Sequence, residues 1–201
     1  HRYGDDVIKK GYAPFIALAH ALSPKHPELR FHVVGDYTPD MVPLGSLGDL
    51  IRFHGKQPNS FFADFYPSMD MIVSINRPSH DDFGAFDGFP TGACMEAGFR
   101  GVLNAITDPL KLNIAFSDDV DIVLLDFDTD RTARRLEALI SQPEAMYRLA
   151  EANHRQFLKV FDTDRQLWQR CRLIASELLD TSVALIHRPT ARQSMLDARF
   201  K

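Results

Sequence analysis

The amino-acid sequence predicts an α/β fold in which a parallel sheet is covered by helices on both faces. Two observations support this prediction. Short apolar segments alternate with helical segments along the first 127 residues, which is typical of strands joined by helical crossovers. The predicted strands are also continuous apolar runs, such as DIVLL (121–125). Such runs are typical of strands that are buried on both sides.

Five segments are predicted to be strands, because each is short, apolar and bounded by turn residues. They are residues 29–36, 50–55, 69–76, 102–106 and 120–127. In sheets of this kind ligands bind outside the carboxyl ends of the strands. The loops in which we expect a site therefore follow Gly35, Gly55, Ile75 and Ile106.

Helical periodicity is clearest in residues 9–24, where a stripe of apolar residues ends at Ser23-Pro24. Two short helices are predicted in residues 59–69, capped by Asn59 or Ser60, and in residues 91–101. Three more follow the last strand, in residues 131–142, 143–161 and 164–179. The first of these three is predicted to be capped by Thr129 or Asp130, and the second has Pro143 in its first turn.

Composition narrows the class of protein. The chain has 201 residues, of which 45% are hydrophobic, and a net charge of -4. Its lysines and arginines are scattered, so we expect no nucleic-acid partner. Cys94 and Cys171 lie far apart and form no metal motif, which favours a reducing, cytoplasmic compartment. The sequence begins HRYGDD without a Met, and this start predicts a fragment of a longer protein.

The loop after the third predicted strand holds the residues that suggest chemistry. It is long and polar and leads through GFPTG (88–92) into a short helix. A glycine-bounded helix start offers free N–H donors and a partial positive charge, which together favour a phosphate. His80, Asp81 and Asp82 are contiguous in this loop, an arrangement that suits metal coordination poorly. We therefore expect no metal.

Glu96 is a single carboxylate in that short helix, among neighbours that we expect to be buried: Ala93, Cys94, Met95, Ala97 and Phe99. It shares a helix face with Gly92 and Ala93, and helical side chains lean toward the N-terminus. A carboxylate there would repel a phosphate but accept two hydrogen bonds from sugar hydroxyls. The pattern therefore indicates a nucleotide whose ribose lies on Glu96. The alternative is a solvated residue or an ion-pair partner.

Six pieces follow one another along the chain: Arg2…Lys10-Gly11, HVVGD (32–36), RFHG (52–55), MIVSINRPS (71–79), DGFPTGACMEA (87–97) and GVLNAIT (101–107). From residue 9 to about residue 178, their order resembles the C-terminal Rossmann-like domain of a retaining GT-B glycosyltransferase of group 1 (family 4). The resemblance implies a Rossmann-like sheet that forms the C-terminal half of a GT-B enzyme. Residues 1–180 would form this domain, and residues 181–201 a peripheral extension or one that crosses to a missing domain.

The resemblance also implies roles for charged residues. Glu96 matches the second glutamate of the family's Glu-x7-Glu motif, which binds the donor ribose. Asp87 stands near the first acidic position, which contacts the transferred sugar, although eight residues (88–95) separate it from Glu96 instead of seven. Lys10 matches a lysine that neutralises the donor diphosphate, and Arg2 resembles its arginine partner. Fixed cations of this kind stabilise a leaving diphosphate. The alternative for Lys10 is a solvated helix start.

Backbone groups complete the implied donor site. Those expected to line the phosphate or sugar belong to Gly88, Phe89, Thr91 and Gly92. Those expected to hold the nucleobase follow the second strand and belong to Phe53, Gly55 and Lys56. Lys56 alternatively belongs to the plain surface.

The function implied is donor binding in a glycosyltransferase that moves a sugar from a nucleoside diphosphate-sugar to a cell-surface polysaccharide or glycolipid acceptor, with retention. The donor is a substrate, and no cofactor is expected. The partners implied are the donor and a missing N-terminal domain, through which the protein would lie at the inner face of the membrane. This fragment alone should transfer little. One alternative is a non-catalytic sugar-nucleotide-binding or interaction module, and another is a GT-B-fold epimerase.

Overall fold

The structure, a computed structural model, describes residues 10–78 and 86–179. The chain divides into two compact units, His1–Val160 and Phe161–Lys201. All five strands belong to the first unit, and the helix Thr163–Leu179 belongs to the second. The boundary predicted at residue 180 stays a prediction, because residues 180–201 lie outside the described part of the chain.

Each predicted strand segment contains or overlaps an observed strand. The strands are β1 (Phe31–Val33), β2 (Ile51–Phe53), β3 (Met71–Ser74), β4 (Leu103–Thr107) and β5 (Val123–Leu125). Every pairing is parallel: β1 pairs with β2, β3 with β4, and β4 with β5. The α/β class and the parallel sheet are therefore confirmed. Within the described residues the strands are hydrogen-bonded in two groups, one of two strands and one of three.

The predicted helices are also present. They are α1 (Tyr12–Leu22), α2 (Phe61–Phe65), α3 (Gly92–Gly98), α4 (Thr129–Ile140), α5 (Pro143–Val160) and α6 (Thr163–Leu179). Short 3-10 turns occupy Gly45–Leu47 and Tyr66–Ser68.

One predicted helix cap is wrong, and another is found at a predicted residue. The N-cap of α4 is Asp128, whose side chain accepts from the Arg131 N–H at 2.9 Å. Thr129 and Asp130 lie inside the helix instead. The extended backbone of Asp128, with φ -80° and ψ 110°, suits a cap. Ser60, one of the two residues predicted to cap α2, is its N-cap, although its side chain makes no capping bond.

The three-stranded sheet is covered on both faces, as β3 illustrates. Met71 and Val73 pack against the main core, whereas Ile72, which lies between them, packs against a second cluster. The main core draws on α1, α4, α5, β4 and β5 through Leu18, Leu22, Leu103, Ala105, Val123, Leu125, Ala133, Leu136, Met146, Leu149 and Ala150. The second cluster consists of Tyr66, Ala97 and Val102. Burial of each large apolar side chain favours folding by about 1.5–3 kcal/mol, and this packing fixes where β3 ends.

Candidate functional site

A cleft of about 370 Å³ lies at the carboxyl end of β3. It is lined by Lys10, Ser74, Asn76, Asp87, Thr91, Gly92 and Ala93. These residues come from three segments: the turn before α1, the end of β3, and the loop that leads into α3. The cleft therefore occupies the edge at which ligands bind in parallel α/β sheets.

Gly11 brings the first of these segments against the second. Its φ of +81° is in the left-handed region, and a Cβ placed there would lie 2.6 Å from the carbonyl oxygen of Ile75. Glycine adopts this φ without a steric penalty, and it has no Cβ that would clash with the carbonyl oxygen. Because the backbone passes so close to the end of β3, the side chain of the preceding Lys10 reaches the cleft.

Lys10 and Asp87 form an ion pair between Nζ and Oδ2, although 77 positions separate them in the sequence. The two side chains are 35% and 44% exposed. An ion pair with this exposure contributes little to stability, about 0–1 kcal/mol. The structure thus brings together two of the charged residues that the family resemblance had singled out.

The start of α3 forms the other wall of the cleft. Thr91 is the N-cap, and its Oγ1 accepts from the Cys94 N–H at 3.3 Å. Gly92 and Ala93 follow and are exposed. Before the helix, Gly88 has φ +80°, and the ring of Phe89 packs against Phe116 edge-to-face, 6.5 Å between centroids.

Cys94 is buried beneath this wall, with no exposed surface. Burial raises the pKa of its thiol, and hydrogen bonds with Thr91 and Ser74 oppose the rise. A thiol in this environment stays protonated and is a poor nucleophile. The burial expected for Cys94 is therefore confirmed.

Glu96 lies one turn beyond the cleft, on the helix face that it shares with Gly92 and Ala93. It is exposed, it does not line the cleft, and its carboxylate forms no ion pair with any residue that the structure describes. The pKa of Tyr66 is raised to about 12, first by burial and then by the negative charge of Glu96. The role of Glu96 in ribose binding stays a prediction.

The environment expected around Glu96 is partly wrong. Cys94 and Ala97 are buried, as expected, and Met95 and Phe99 are half-buried. Ala93 is exposed, because it begins the helix at the open side of the cleft.

The residues predicted to hold a nucleobase lie at the end of β2, outside the cleft lining. The ring of Phe53 packs edge-to-face on Tyr12 at 6.3 Å. Gly55, with φ +66°, accepts through its carbonyl from the N–H of Gly35 at 3.0 Å. Lys56 Nζ lies 2.6 Å from Asp36 Oδ2. The structure thus places these residues at the end of β2, which belongs to the two-stranded group, and the base-binding role stays a prediction.

Some predicted residues lie outside the described part of the chain. These are Arg2 and the loop residues His80, Asp81 and Asp82. In residues 10–78 and 86–179, no three histidine, cysteine, aspartate or glutamate side chains cluster closely enough to hold a metal ion. None of the helices in those ranges has the length and apolar character needed to cross a bilayer.

Ser74 and Asn76 line the cleft, but the sequence analysis did not single them out. They stand at the end of the apolar run of β3, where small polar residues are typical of an ordinary turn. Asn76 is 9% exposed, and its carbonyl accepts from Thr107 Oγ1 at 3.0 Å. The signal available in the sequence was their position at the end of a predicted strand, which is the edge of the sheet at which ligands bind.

The fold is similar to that of solved glycosyltransferases. One is the C-terminal domain of a glycosyl transferase group 1 family protein (LpcC) from Francisella tularensis, with TM-score 0.60 and 21% identity over 76% of this chain and 80% of that chain. Another is a glycosyltransferase from Rickettsia africae, with TM-score 0.66 and 14% identity over 87% of this chain and 46% of that chain. A third is a mutant of S. aureus TarM in complex with fondaparinux, α-GlcNAc-glycerol and UDP, with TM-score 0.66 and 13% identity over 82% of this chain.

This chain thus spans 46% of the Rickettsia enzyme and 33% of TarM. No protein-family model matches the chain, and no curated protein matches it in sequence. The likeness is one of fold, and it defines the class: a Rossmann-like α/β domain of the GT-B glycosyltransferase architecture. More particularly, the fold is that of the C-terminal domain of such an enzyme, as the sequence had suggested.

Proposed function

We propose that this chain is the donor-binding domain of a glycosyltransferase and that its cleft binds a nucleoside diphosphate-sugar. The observation that supports this most directly is the meeting of Lys10 with the glycine-containing start of α3 at one edge of the sheet. A cation and free backbone donors on one cleft match the needs of a diphosphate.

In this proposal Lys10 holds the diphosphate and stabilises the charge that develops as it leaves. Asp87 then faces the transferred sugar, and Glu96, one turn further along α3, binds the ribose hydroxyls. Phe53, Gly55 and Lys56 hold the base at the end of β2, and Arg2 is a second cation for the diphosphate. No metal or cofactor takes part.

The activity proposed for the whole protein is transfer of a sugar, with retention, to a cell-surface polysaccharide or glycolipid acceptor. The rest of the protein supplies the acceptor site and brings the enzyme to the inner face of the membrane from the cytoplasm. This chain alone binds donor weakly and transfers little, because the donor in such an architecture is enclosed between two domains.

A non-catalytic module is the second candidate function. It is favoured by the ion pair that occupies Lys10 and by the eight residues between Asp87 and Glu96. Such a module would bind a sugar nucleotide without transferring the sugar, or would bind only another protein.

Calorimetric titration of the chain with UDP, GDP, UDP-glucose and GDP-mannose tests the proposal. We expect saturable binding of at least one of these ligands at millimolar concentration or below. If none binds, donor binding is contradicted and the interaction module is favoured. If the intact protein binds a sugar nucleotide but shows no turnover with acceptor, the non-catalytic sugar-nucleotide-binding module is favoured.

A further inference from the structure

Asn76 has a position that neither the sequence analysis nor the proposed function explains. It directly follows Ile75 at the end of β3, lines the cleft, and is only 9% exposed. Its side-chain amide makes no hydrogen bond to any residue that the structure describes. Among the described residues, the buried side-chain polar atoms without a partner belong to Arg77 and Asn104, so the Asn76 amide keeps access to the open cleft that it lines and is available to a ligand there.

The backbone of Asn76 is firmly held. The Thr107 hydroxyl, itself 5% exposed, donates to the Asn76 carbonyl oxygen at 3.0 Å. The preceding residue, Ile75, lies against the backbone of Gly11. A Cβ on Gly11 would come within 2.6 Å of the Ile75 carbonyl oxygen. The amide is thus carried by a fixed backbone between β4 and the turn that bears Lys10, and this is the preorganisation that a ligand contact requires.

The chemistry of the amide indicates which ligand group it fits. An asparagine side chain offers donors on Nδ2 and an acceptor on Oδ1. A phosphate oxygen only accepts, so it would leave Oδ1 without a partner in the cleft. A sugar hydroxyl both donates and accepts, and it therefore satisfies the whole amide. The neighbouring Ser74 is likewise neutral and able to do both.

We propose that Asn76 is a specificity-determining residue that hydrogen-bonds a hydroxyl of the transferred sugar, beside the diphosphate on Lys10. This inference rests on the proposed function and adds a residue to it. Sites that hydrogen-bond a substrate hydroxyl discriminate strongly, because a ligand without that group leaves the buried partner unpaired.

The test compares ligands that differ only by the sugar. UDP and UDP-glucose, with GDP and GDP-mannose as a second pair, are titrated by calorimetry into the wild-type chain and into Asn76→Ala. The quantity measured is the ratio of the Kd of the nucleotide to the Kd of the sugar nucleotide. In Asn76→Ala we expect this ratio to fall about tenfold, while the Kd of the nucleotide alone changes less than twofold. The control is Asn59→Ala, an exposed asparagine outside the cleft.

Asn76→Leu serves as a second variant, because it nearly keeps the shape of the side chain if the alanine variant unfolds. Its side chain is neutral and has no hydrogen-bonding group, so it adds no charge beside the diphosphate, and the lost hydrogen bonds still lower the ratio. An unchanged ratio in a folded variant overturns the inference while wild-type binding upholds the proposed function. An equal loss of both ligands in Asn76→Ala makes Asn76 a phosphate contact and also overturns it. If the wild-type chain binds none of the four ligands, both proposals fail.

Discussion

Gly98 of α3 lies against the ring of Phe157 of α5, so closely that a Cβ on Gly98 would stand 2.5 Å from Phe157 Cδ2. Phe157 has no exposed surface and also contacts Phe116, at 4.8 Å between ring centroids. Phe116 in turn contacts Phe89, which precedes α3. The absence of a side chain at Gly98 therefore lets α3 pack at the position from which it lines the cleft.

Gly98→Ala is expected to destabilise the fold by about 1–3 kcal/mol, because a fully buried ring has no room to move away from the added methyl group. The free energy of unfolding from urea titration measures the effect. Gly48→Ala is the matched control, since Gly48 has φ -41° and a Cβ added there would meet no atom within 4 Å. We expect that variant to stay within about 1 kcal/mol of the wild type. Equal stabilities for the two variants would contradict the packing argument.

Gly11→Ala should harm both stability and binding, because it combines a left-handed φ with a clash against the Ile75 carbonyl. Gly101→Ala isolates the first effect: Gly101 has φ +84°, and a Cβ there meets no atom within 4 Å. We expect Gly101→Ala to cost about 1–2 kcal/mol and Gly11→Ala to cost more. Only Gly11→Ala should also weaken UDP binding, measured by calorimetry. If Gly11→Ala and Gly101→Ala have the same stability and the same Kd for UDP, the Gly11 contact does not position Lys10.

Lys10→Met tests the diphosphate contact. Loss of one charge-assisted hydrogen bond costs about 1.5–3 kcal/mol, so the Kd for UDP or GDP should rise about tenfold or more. The wild-type affinity should also weaken with added salt, and the variant should show less of this dependence. Lys159→Met, an exposed lysine in the last turn of α5, is the control. An unchanged Kd in Lys10→Met would remove Lys10 from the site.

Glu96→Gln tests the ribose contact. If Glu96 accepts hydrogen bonds from the ribose, removal of its charge should reduce donor affinity or turnover by an order of magnitude or more, which corresponds to about 1.5–3 kcal/mol. Turnover is measured in the intact protein. Glu144→Gln changes a 95% exposed carboxylate on α5 and should have no effect. Wild-type kinetics in Glu96→Gln would favour the alternative, in which this glutamate is only a solvated residue.

The stability of the fold should fall in mild acid because of two histidines. His32 Nδ1 and His54 Nε2 lie 2.9 Å apart. The pKa of His32 is lowered by burial and then by His54 and Arg52, and that of His54 by burial and then by Arg52. Near pH 6.5, the ordinary pKa of histidine, the unfolded chain therefore binds protons that the folded chain does not bind. Stability is full above that value and declines as the pH falls through it.

Urea midpoints at pH 7.5 and pH 5.5 measure this decline. We expect a lower midpoint at pH 5.5 in the wild type and a smaller difference between the two pH values in His32→Gln. His20→Gln, whose ring nitrogen lies 3.4 Å from the Pro43 carbonyl oxygen outside this pair, should keep the wild-type difference. A midpoint that rises on acidification would show that the pair does not resist protonation.

The regular elements were predictable from the sequence because each depends on a local pattern. The apolar run of residues 120–127, for example, contains β5. Choices between adjacent residues were not predictable in the same way. Asp128, Thr129 and Asp130 are all capping residue types, and the extended backbone at Asp128 decides among them. The hydrogen-bonding of the strands in two groups also depends on tertiary packing, which no single segment encodes.

The candidate site was predictable in part. The position of the loop after Ile75 followed from the order of the strands, and Lys10 and Asp87 followed from a family resemblance. Their direct ion pair did not, because contacts across 77 positions leave no pattern in a single sequence. Asn76 was missed for a different reason: its surroundings come from β4, from the turn that bears Lys10 and from the start of α3, whereas its sequence context is that of a turn.

The central claim is that the cleft beside Lys10 binds a nucleotide. A ¹⁵N-resolved NMR titration of the chain with UDP, and in parallel with GDP, tests it most directly. We expect the largest chemical-shift changes at the amides of Lys10, Gly92 and Ala93. The amides of Leu139 and Gln142, which line a separate cleft of about 270 Å³, should stay unchanged. The claim is contradicted if neither nucleotide shifts the first group, or if the changes concentrate on the second.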